Sequence, residues 1–174
     1  MTLRRTFPTT VGRLWDLWTT KKGLESWWAP DGFSVEVRRL DLRVGGEVEY
    51  TMTAVAPEMV AFLSDSGMPR TTVATWVYSE IVPKERLTYA QLVDFVPGVE
   101  PYDVTTWVEF RRTPKGVTVV LTEEALHSEE WTLRALEGLK NGLRNLARLL
   151  KPRPSPRGFS PRNAALSRDR ARGR

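Results

Sequence analysis

The sequence contains no cysteine and only one histidine among its 174 residues. The absence of cysteine excludes disulfide bonds and thiolate metal centres, and a single histidine excludes a multi-histidine zinc or iron site. No apolar run approaches the roughly 18 residues that a membrane span requires, and the first residues carry no signal-peptide pattern. These absences predict a soluble, cytoplasmic protein that uses no metal and no other cofactor.

Positive charge is concentrated at the end of the chain. The net charge is +5, from 26 Lys and Arg against 21 Asp and Glu, and the last 24 residues hold eight of the former and one of the latter. Residues 1–150 therefore carry −2 and residues 151–174 carry +7. We expect one domain over 1–150 and a basic, Pro/Arg-rich, disordered tail over 151–174. The tail is interpreted as a solvating extension, and weak, salt-sensitive contact with nucleic acid or an anionic surface is the alternative.

Deletion of residues 152–174 should leave the fold intact. The tail contains four Pro and few apolar side chains, so it has little to contribute to a core. We expect the truncated chain to unfold cooperatively, with the same thermal midpoint as the full chain. Loss of the cooperative transition on truncation would refute this prediction.

Patterns of apolar residues predict an α+β fold. A short strand over 2–7 precedes two short helices, about six strands with alternating polar and apolar residues, and a long helix from about 128 to 150. A slip in the alternation at Arg38–Arg39 indicates a β-bulge. Ser128 is suited to cap the N-terminus of the long helix. Because the strands are joined by short turns, we expect an antiparallel meander whose apolar face the long helix covers.

The long helix has an apolar stripe that contains two glycines. Its leucines on one side are Leu136, Leu139, Leu143, Leu146 and Leu150. Gly138 and Gly142 lie beside Trp131 and Ala135 in the apolar arc and are expected to face the sheet, although each costs about 1 kcal/mol relative to Ala. Either the helix packs too closely on a strand for a side chain, or the missing side chains leave a cavity for an apolar ligand.

Five stretches occur in a characteristic order along residues 3–150. They are "ESWWAPDGF" (25–33), "DLRVGGEVEYTM" (41–52), "YSEIVPKERLTY" (78–89), "DFVPGVEPYD" (94–103) and "ALHSEEWTLRALEGL" (125–139). This pattern resembles the Hsp90-ATPase-activator-homologue-like (AHSA1-type) branch of the START/Bet v 1-like (SRPBCC) superfamily. The resemblance implies a helix-grip fold, in which about seven antiparallel strands curl around a long C-terminal helix. Two short helices would follow the first strand, and a hydrophobic cavity would lie between sheet and helix.

The resemblance also bears on the glycines and on function. Gly138 stands where the family usually has glycine, whereas Leu139 replaces a common tryptophan and Gly142 is not a usual family feature. Both departures would enlarge or reshape the cavity. Members of the superfamily include lipid and polyketide binders, aromatase/cyclases, dehydratases, stress proteins and a chaperone activator, so the fold by itself does not determine the chemistry.

Candidate ligand-binding residues are those that the pattern turns toward such a cavity. Gln91 shares a strand face with apolar neighbours, so its amide needs either a ligand or another side chain as partner. Met59, Phe62, Leu63 and Met68 are expected to form an apolar lid, with a dimer contact as the competing interpretation. Each aromatic candidate has plain core packing as its simpler interpretation. The full set is Trp27, Trp28, Tyr50, Met52, Phe62, Tyr78, Tyr89, Gln91, Trp131, Ala135, Gly138, Leu139 and Gly142.

The leading functional prediction is binding of a small hydrophobic molecule by a monomer or homodimer. The first alternative is a cyclase, dehydratase or hydrolase with His127 or a pocket Tyr or carboxylate as acid or base, although a loop or capping role is the simpler interpretation of His127. No G-x-S-x-G motif supports a serine hydrolase. The second alternative is a chaperone-associated interaction protein, and failure to stimulate an Hsp90-type ATPase would count against it.

Overall fold

A computed structural model describes residues 1–65, 67–94 and 98–151. The elements in chain order are β1 (Thr2–Phe7), α1 (Val11–Thr19), α2 (Lys21–Glu25), β2 (Phe33–Leu40), β3 (Glu47–Ala54), α3 (Pro57–Asp65), β4 (Thr71–Val82), β5 (Arg86–Val93), β6 (Tyr102–Thr113), β7 (Gly116–Glu123) and α4 (Glu129–Leu149). The predicted α+β class is confirmed, and the element order is as predicted except that helix α3 lies between β3 and β4. The predicted disorder of the tail falls on residues outside those described.

All seven strands belong to one curved antiparallel sheet. The strand order is β1-β7-β6-β5-β4-β3-β2, so β2 to β7 form the predicted meander and β1 pairs with the far edge of β7. Strands β1 and β2 are consecutive in the chain but lie at opposite edges of the sheet. Helices α1 and α2, which join them, therefore connect the two edges. Among the described residues, no helix combines the length and apolar character needed to cross a lipid bilayer.

The predicted β-bulge lies at Arg38 in β2. The pairing of β2 with β3 shifts register between Val37 and Arg39. Side chains of α2 hold both sides of the irregularity: Lys21 Nζ donates to the Arg38 carbonyl at 2.6 Å, and Glu25 Oε1 accepts from the Val37 N–H at 2.9 Å. The Arg38 carbonyl and the Val37 N–H, which flank the bulge, are therefore hydrogen-bonded to side chains.

Helices α1 and α2 close one end of the sheet. Trp15 and Trp18 of α1 pack edge-on against Phe110 of β6, with ring centroids 5.9 and 5.4 Å apart. The two helices meet at Gly23, which is buried and where a Cβ would overlap the backbone carbonyl of Asp16. Only glycine permits this close approach.

Helix α4 packs unevenly along its length. Ser128 caps it as predicted, with Oγ accepting from the Trp131 N–H at 3.4 Å. Leu143 and Leu146 in its C-terminal half are buried, whereas Leu139 is only half-buried. The helix is therefore anchored on the sheet by its second half, and its first half leaves space above the strands.

Candidate ligand-binding site

A cavity of about 280 Å³ occupies the space between the first half of α4 and the sheet. Most of its lining is apolar, which suits a small hydrophobic molecule. The lining residues are Trp27, Trp28, Pro30, Tyr50, Met52, Gln91, Val93, Val104, Thr106, Leu121, Glu123, Leu126, Ala135, Gly138, Leu139, Gly142 and Leu143.

The two glycines of α4 have different surroundings. An added Cβ at Gly138 would meet no heavy atom within 4 Å, whereas one at Gly142 would lie 3.6 Å from Cζ3 of Trp27. Gly142 is buried, but Gly138 is exposed, so the prediction that both face away from water is wrong for Gly138. Gly138 therefore lines an open part of the cavity, and Gly142 gives room to the Trp27 ring. At neither position does a strand backbone lie close enough to exclude a Cβ atom.

Aromatic rings form the end wall of the cavity nearest α2. Trp27 is buried, its Nε1–H donates to the Leu17 carbonyl at 2.9 Å, and its ring centroid lies 4.3 Å from that of Trp18. Trp28 is half-buried, and its ring centroid lies 6.5 Å from that of Tyr50. Trp27 therefore packs inward, and both tryptophans line the cavity.

Hydrogen bonds tie the segment after α2 to the solvent side of α4. Asn145 Nδ2 donates to the Ala29 carbonyl at 2.8 Å, and Asn141 Oδ1 accepts from the Asp31 N–H at 2.8 Å. Arg148 adds an exposed ion pair to Asp31 at 2.9 Å. Because Pro30 lies between the bonded residues, these contacts fix the position of a residue that lines the cavity.

A row of polar side chains crosses the concave face of the sheet. The register places Tyr78 opposite Tyr89, Tyr89 opposite Thr106, and Thr106 opposite Glu123. The Thr106 hydroxyl donates to Glu123 Oε2 at 3.2 Å. Thr106 and Glu123 line the cavity, so this row extends from the core to the cavity.

Burial governs the protonation of this row. Burial raises the pKa of the Glu123 carboxyl above its ordinary value, and the hydrogen bond from Thr106 offsets part of that effect. Burial likewise raises the pKa of Tyr50, raises the pKa of Tyr89 well above its ordinary value, and raises the pKa of Tyr78 to about 12. The tyrosines are therefore neutral near pH 7. Glu123 is the carboxyl group in the lining of the cavity.

Replacing Glu123 with Gln should stabilise the protein at pH 8. A carboxyl whose pKa is raised by folding destabilises the native state once the pH rises through that folded pKa, and the penalty is absent below the unfolded pKa near 4.5. We expect a gain on the order of 1 kcal/mol, or roughly 3 °C in Tm, at pH 8. Thermal unfolding measured from pH 8 down to pH 4.5 should show the difference between the two proteins shrinking toward zero.

Glu124→Gln is the matched control for this measurement. Glu124 is the next residue, is exposed, and accepts from the Thr105 N–H at 2.7 Å. The same change of charge at this site should give no gain in Tm at pH 8. A gain at pH 8 from Glu124→Gln equal to that from Glu123→Gln would show that net charge, and not burial, is responsible.

The structure brings nine of the thirteen predicted ligand-binding residues into one cavity. They are Trp27, Trp28, Tyr50, Met52, Gln91, Ala135, Gly138, Leu139 and Gly142. The half-buried Gln91 amide takes part in none of the hydrogen bonds among the described residues, which leaves it available to a ligand. Tyr78 and Tyr89 lie outside the lining, because both are fully buried in the core beneath it.

Phe62 and Trp131 also lie outside the cavity. Phe62 is 56% exposed on α3, where Leu63 is the buried residue, and neither Phe62 nor the exposed Met68 lines the cavity, so the lid and the dimer contact stay predictions. Trp131 is half-buried and packs in a small cluster with Val93 and Val104, behind the cavity wall that those valines form.

His127, the predicted candidate for acid–base catalysis, does not line the cavity. It is exposed, its Nδ1 lies 3.1 Å from the Tyr102 hydroxyl, and its backbone N–H donates to that same hydroxyl. These contacts fit the simpler interpretation, a loop histidine near the start of α4.

Sequence reasoning did not single out Thr106 or Glu123. A signal for Glu123 was present, because Val117, Val119 and Leu121 alternate on the buried face of β7 and Glu123 continues the same phase. A carboxylate in that phase indicates a buried acid. Its pairing with Thr106 depends on the strand register.

A family model described as "Activator of Hsp90 ATPase homolog 1-like protein" matches residues 8–151. The chain belongs to this family. The match covers every element from α1 to α4 and includes all the residues that line the cavity. The resemblance inferred from the sequence motifs is therefore confirmed.

Solved structures similar to this member of the Activator of Hsp90 ATPase homolog 1-like family share its fold. A protein from Chromobacterium violaceum is 24% identical, covers 88% of this chain and 97% of its own, and superposes with a TM-score of 0.72. An AHSA1-like protein from Aeromonas hydrophila is 19% identical, with coverages of 88% and 96% and a TM-score of 0.64. The AHSA1 protein from Silicibacter pomeroyi is 19% identical, with coverages of 86% and 96% and a TM-score of 0.67. Among curated proteins, none matches this chain.

Proposed function

We propose that this chain binds one small, predominantly apolar molecule in the cavity between α4 and the sheet. The observation that carries the proposal is the cavity itself, whose lining is mostly apolar and includes Gly138, a position at which α4 carries no side chain. The cavity of about 280 Å³ is near the lower end of the range for small-molecule sites. A molecule about the size of two fused aromatic rings suits it.

The construction of the walls supports this proposal. An apolar space that stays unfilled lowers stability, because its lining loses van der Waals contacts. Helix α4 places glycine at the point where one larger side chain would fill the space, and the hydrogen bonds to Ala29 and Asp31 hold the opposite rim in place. Such walls are largely formed in advance, which reduces the entropy lost on binding.

Calorimetric titration of the full chain with 2-naphthalenemethanol tests the proposal. We expect saturable binding of one probe per chain and a negative heat-capacity change, because apolar surface is buried. The Tm should rise with probe concentration, as it does for any ligand that binds only the native state. Absence of saturable binding, or uptake of many probes per chain, would contradict the proposal.

Acid–base catalysis on a bound apolar substrate is a second candidate function, and Glu123 is the observation that favours it. Buried carboxyls with a raised pKa in a ligand space are characteristic of general acids and bases. If a turnover reaction is found, Glu123→Gln should abolish turnover while leaving substrate binding measurable, and His127→Ala should change neither. Full activity in Glu123→Gln would remove this candidate.

A further inference from the structure

Among the described residues that line the cavity, Glu123 is the one that carries a charge. Its Oε2 accepts the hydrogen bond from Thr106 at 3.2 Å, and among the described residues Oε1 accepts none. No lysine, arginine or histidine is among the described lining residues, and the cation nearest to Glu123 is the Met1 ammonium, which donates to the Glu123 backbone carbonyl at 2.6 Å from outside the lining. A half-buried carboxyl of this kind needs a positive charge or a hydrogen-bond donor for its free oxygen.

Aromatic rings share the ligand space with this carboxyl. Trp27, Trp28 and Tyr50 all line the cavity, with ring centroids 5.1 Å apart for the two tryptophans and 6.5 Å apart for Trp28 and Tyr50. Aromatic faces attract cations, most strongly when water is excluded, and combine with carboxylates in sites that hold organic ammonium groups. Tyr50 is close enough to Glu123 for the carboxylate charge to raise its pKa.

We infer that the ligand is a small apolar amine, whose cationic nitrogen pairs with Glu123 while its hydrocarbon body lies against the aromatic and aliphatic walls. This inference rests on the proposed function and adds the chemical class of the ligand. The amine supplies both things that the cavity lacks, a positive charge and a donor for the free carboxylate oxygen. A neutral ligand would place no positive charge beside the carboxylate inside the cavity, and an anionic ligand would be repelled.

Three probes with the same ring system test the inference on the full chain at pH 7.5. They are 2-naphthylmethylamine, 2-naphthalenemethanol and 2-naphthoate, which differ in charge at a single position. We expect the amine to bind about 10- to 100-fold more tightly than the alcohol, the range typical of a charge-assisted hydrogen bond, and the naphthoate to bind most weakly.

Two variants locate the origin of the preference. Glu123→Gln should bring the amine to within about threefold of the alcohol while binding of the alcohol stays measurable, which also shows that the variant is folded. Glu124→Gln removes the same charge from the adjacent exposed position and should leave the preference as in the wild type.

The outcomes separate this inference from the proposed function. Binding of the alcohol as tightly as the amine by the wild type, a comparison that needs no variant, overturns the amine inference and leaves the proposed function standing. A preference that persists in Glu123→Gln overturns the assignment of Glu123. No binding of any of the three probes contradicts the inference and the proposed function together.

Discussion

Replacing Gly138 with Leu is expected to stabilise the protein and to abolish its binding of 2-naphthalenemethanol. Leucine is favoured over glycine in a helix interior by about 0.8 kcal/mol, and a Cβ at this position of the cavity lining meets no heavy atom within 4 Å. We therefore expect a rise in Tm of roughly 2–4 °C. The same side chain occupies the ligand space, so the affinity for the probe should fall by about 100-fold.

Gly138→Ala is the matched control, because it recovers the helix propensity but adds a single methyl group. This variant should be stabilised by about 1 kcal/mol and should keep most of its affinity for the probe. Calorimetric titration and thermal unfolding of the wild type, the Ala variant and the Leu variant form one experiment. Undiminished binding by a folded Leu variant would show that the probe binds somewhere other than this cavity.

Replacing Gly142 with Leu is expected to have the opposite effect on stability. A Cβ at this position lies 3.6 Å from Cζ3 of Trp27, an ordinary contact, but the carbons beyond it enter the volume of the indole ring. The Trp27 ring cannot move aside freely, because it donates a hydrogen bond to Leu17 and packs on Trp18. Overpacking of this kind costs about 1–3 kcal/mol, more than the gain in helix propensity.

Denaturant unfolding of Gly142→Leu and Gly142→Ala measures this effect. The Ala variant should be more stable than the wild type by up to about 1 kcal/mol, since its methyl group fits beside the ring. The Leu variant should be less stable, and its affinity for the probe should fall, because the displaced Trp27 is part of the cavity wall. Equal stabilisation by both substitutions would mean that Trp27 does not restrict this position.

The presence of glycine at the two positions in the long helix therefore has a different physical explanation at each. Gly138 leaves part of the cavity lining without a side chain, and Gly142 makes room for a tryptophan that also lines the cavity. The two alternatives drawn from the sequence, a cavity and close packing, each apply to one glycine. The close packing at Gly142, however, is against a tryptophan side chain of the α2 corner, and no strand backbone is involved.

Much of the fold is predictable because its signals are local. The period of the apolar residues identifies strands and helices, Ser128 marks the start of α4, and the phase slip in β2 marks the bulge at Arg38. The order of short-turn strands then leaves an antiparallel meander as the simplest topology. Periodicity alone does not predict the cavity. The glycines of α4 allow it as one of two interpretations, and the family motifs imply it.

The site is less predictable because it depends on register and on which side of a short helix is buried. Thr106 and Glu123 are 17 residues apart, and their contact follows from the pairing of β6 with β7. In α3, several apolar residues compete for one buried face, and Leu63 occupies it while Phe62 remains exposed. The depth of Tyr78 and Tyr89 below the cavity depends on the side chains packed over them.

The central claim, that the space beneath the first half of α4 holds the ligand, is tested most directly by locating a bound probe. Isotope-filtered NOE spectra of the full chain with 2-naphthalenemethanol would report which methyl groups touch it. We expect contacts from both walls at once: from Leu139 or Leu143 of α4, and from Val104 or Leu121 of the sheet. Contacts confined to the exposed apolar residues of the outer sheet face, Val73, Val77 and Leu92, would contradict the claim.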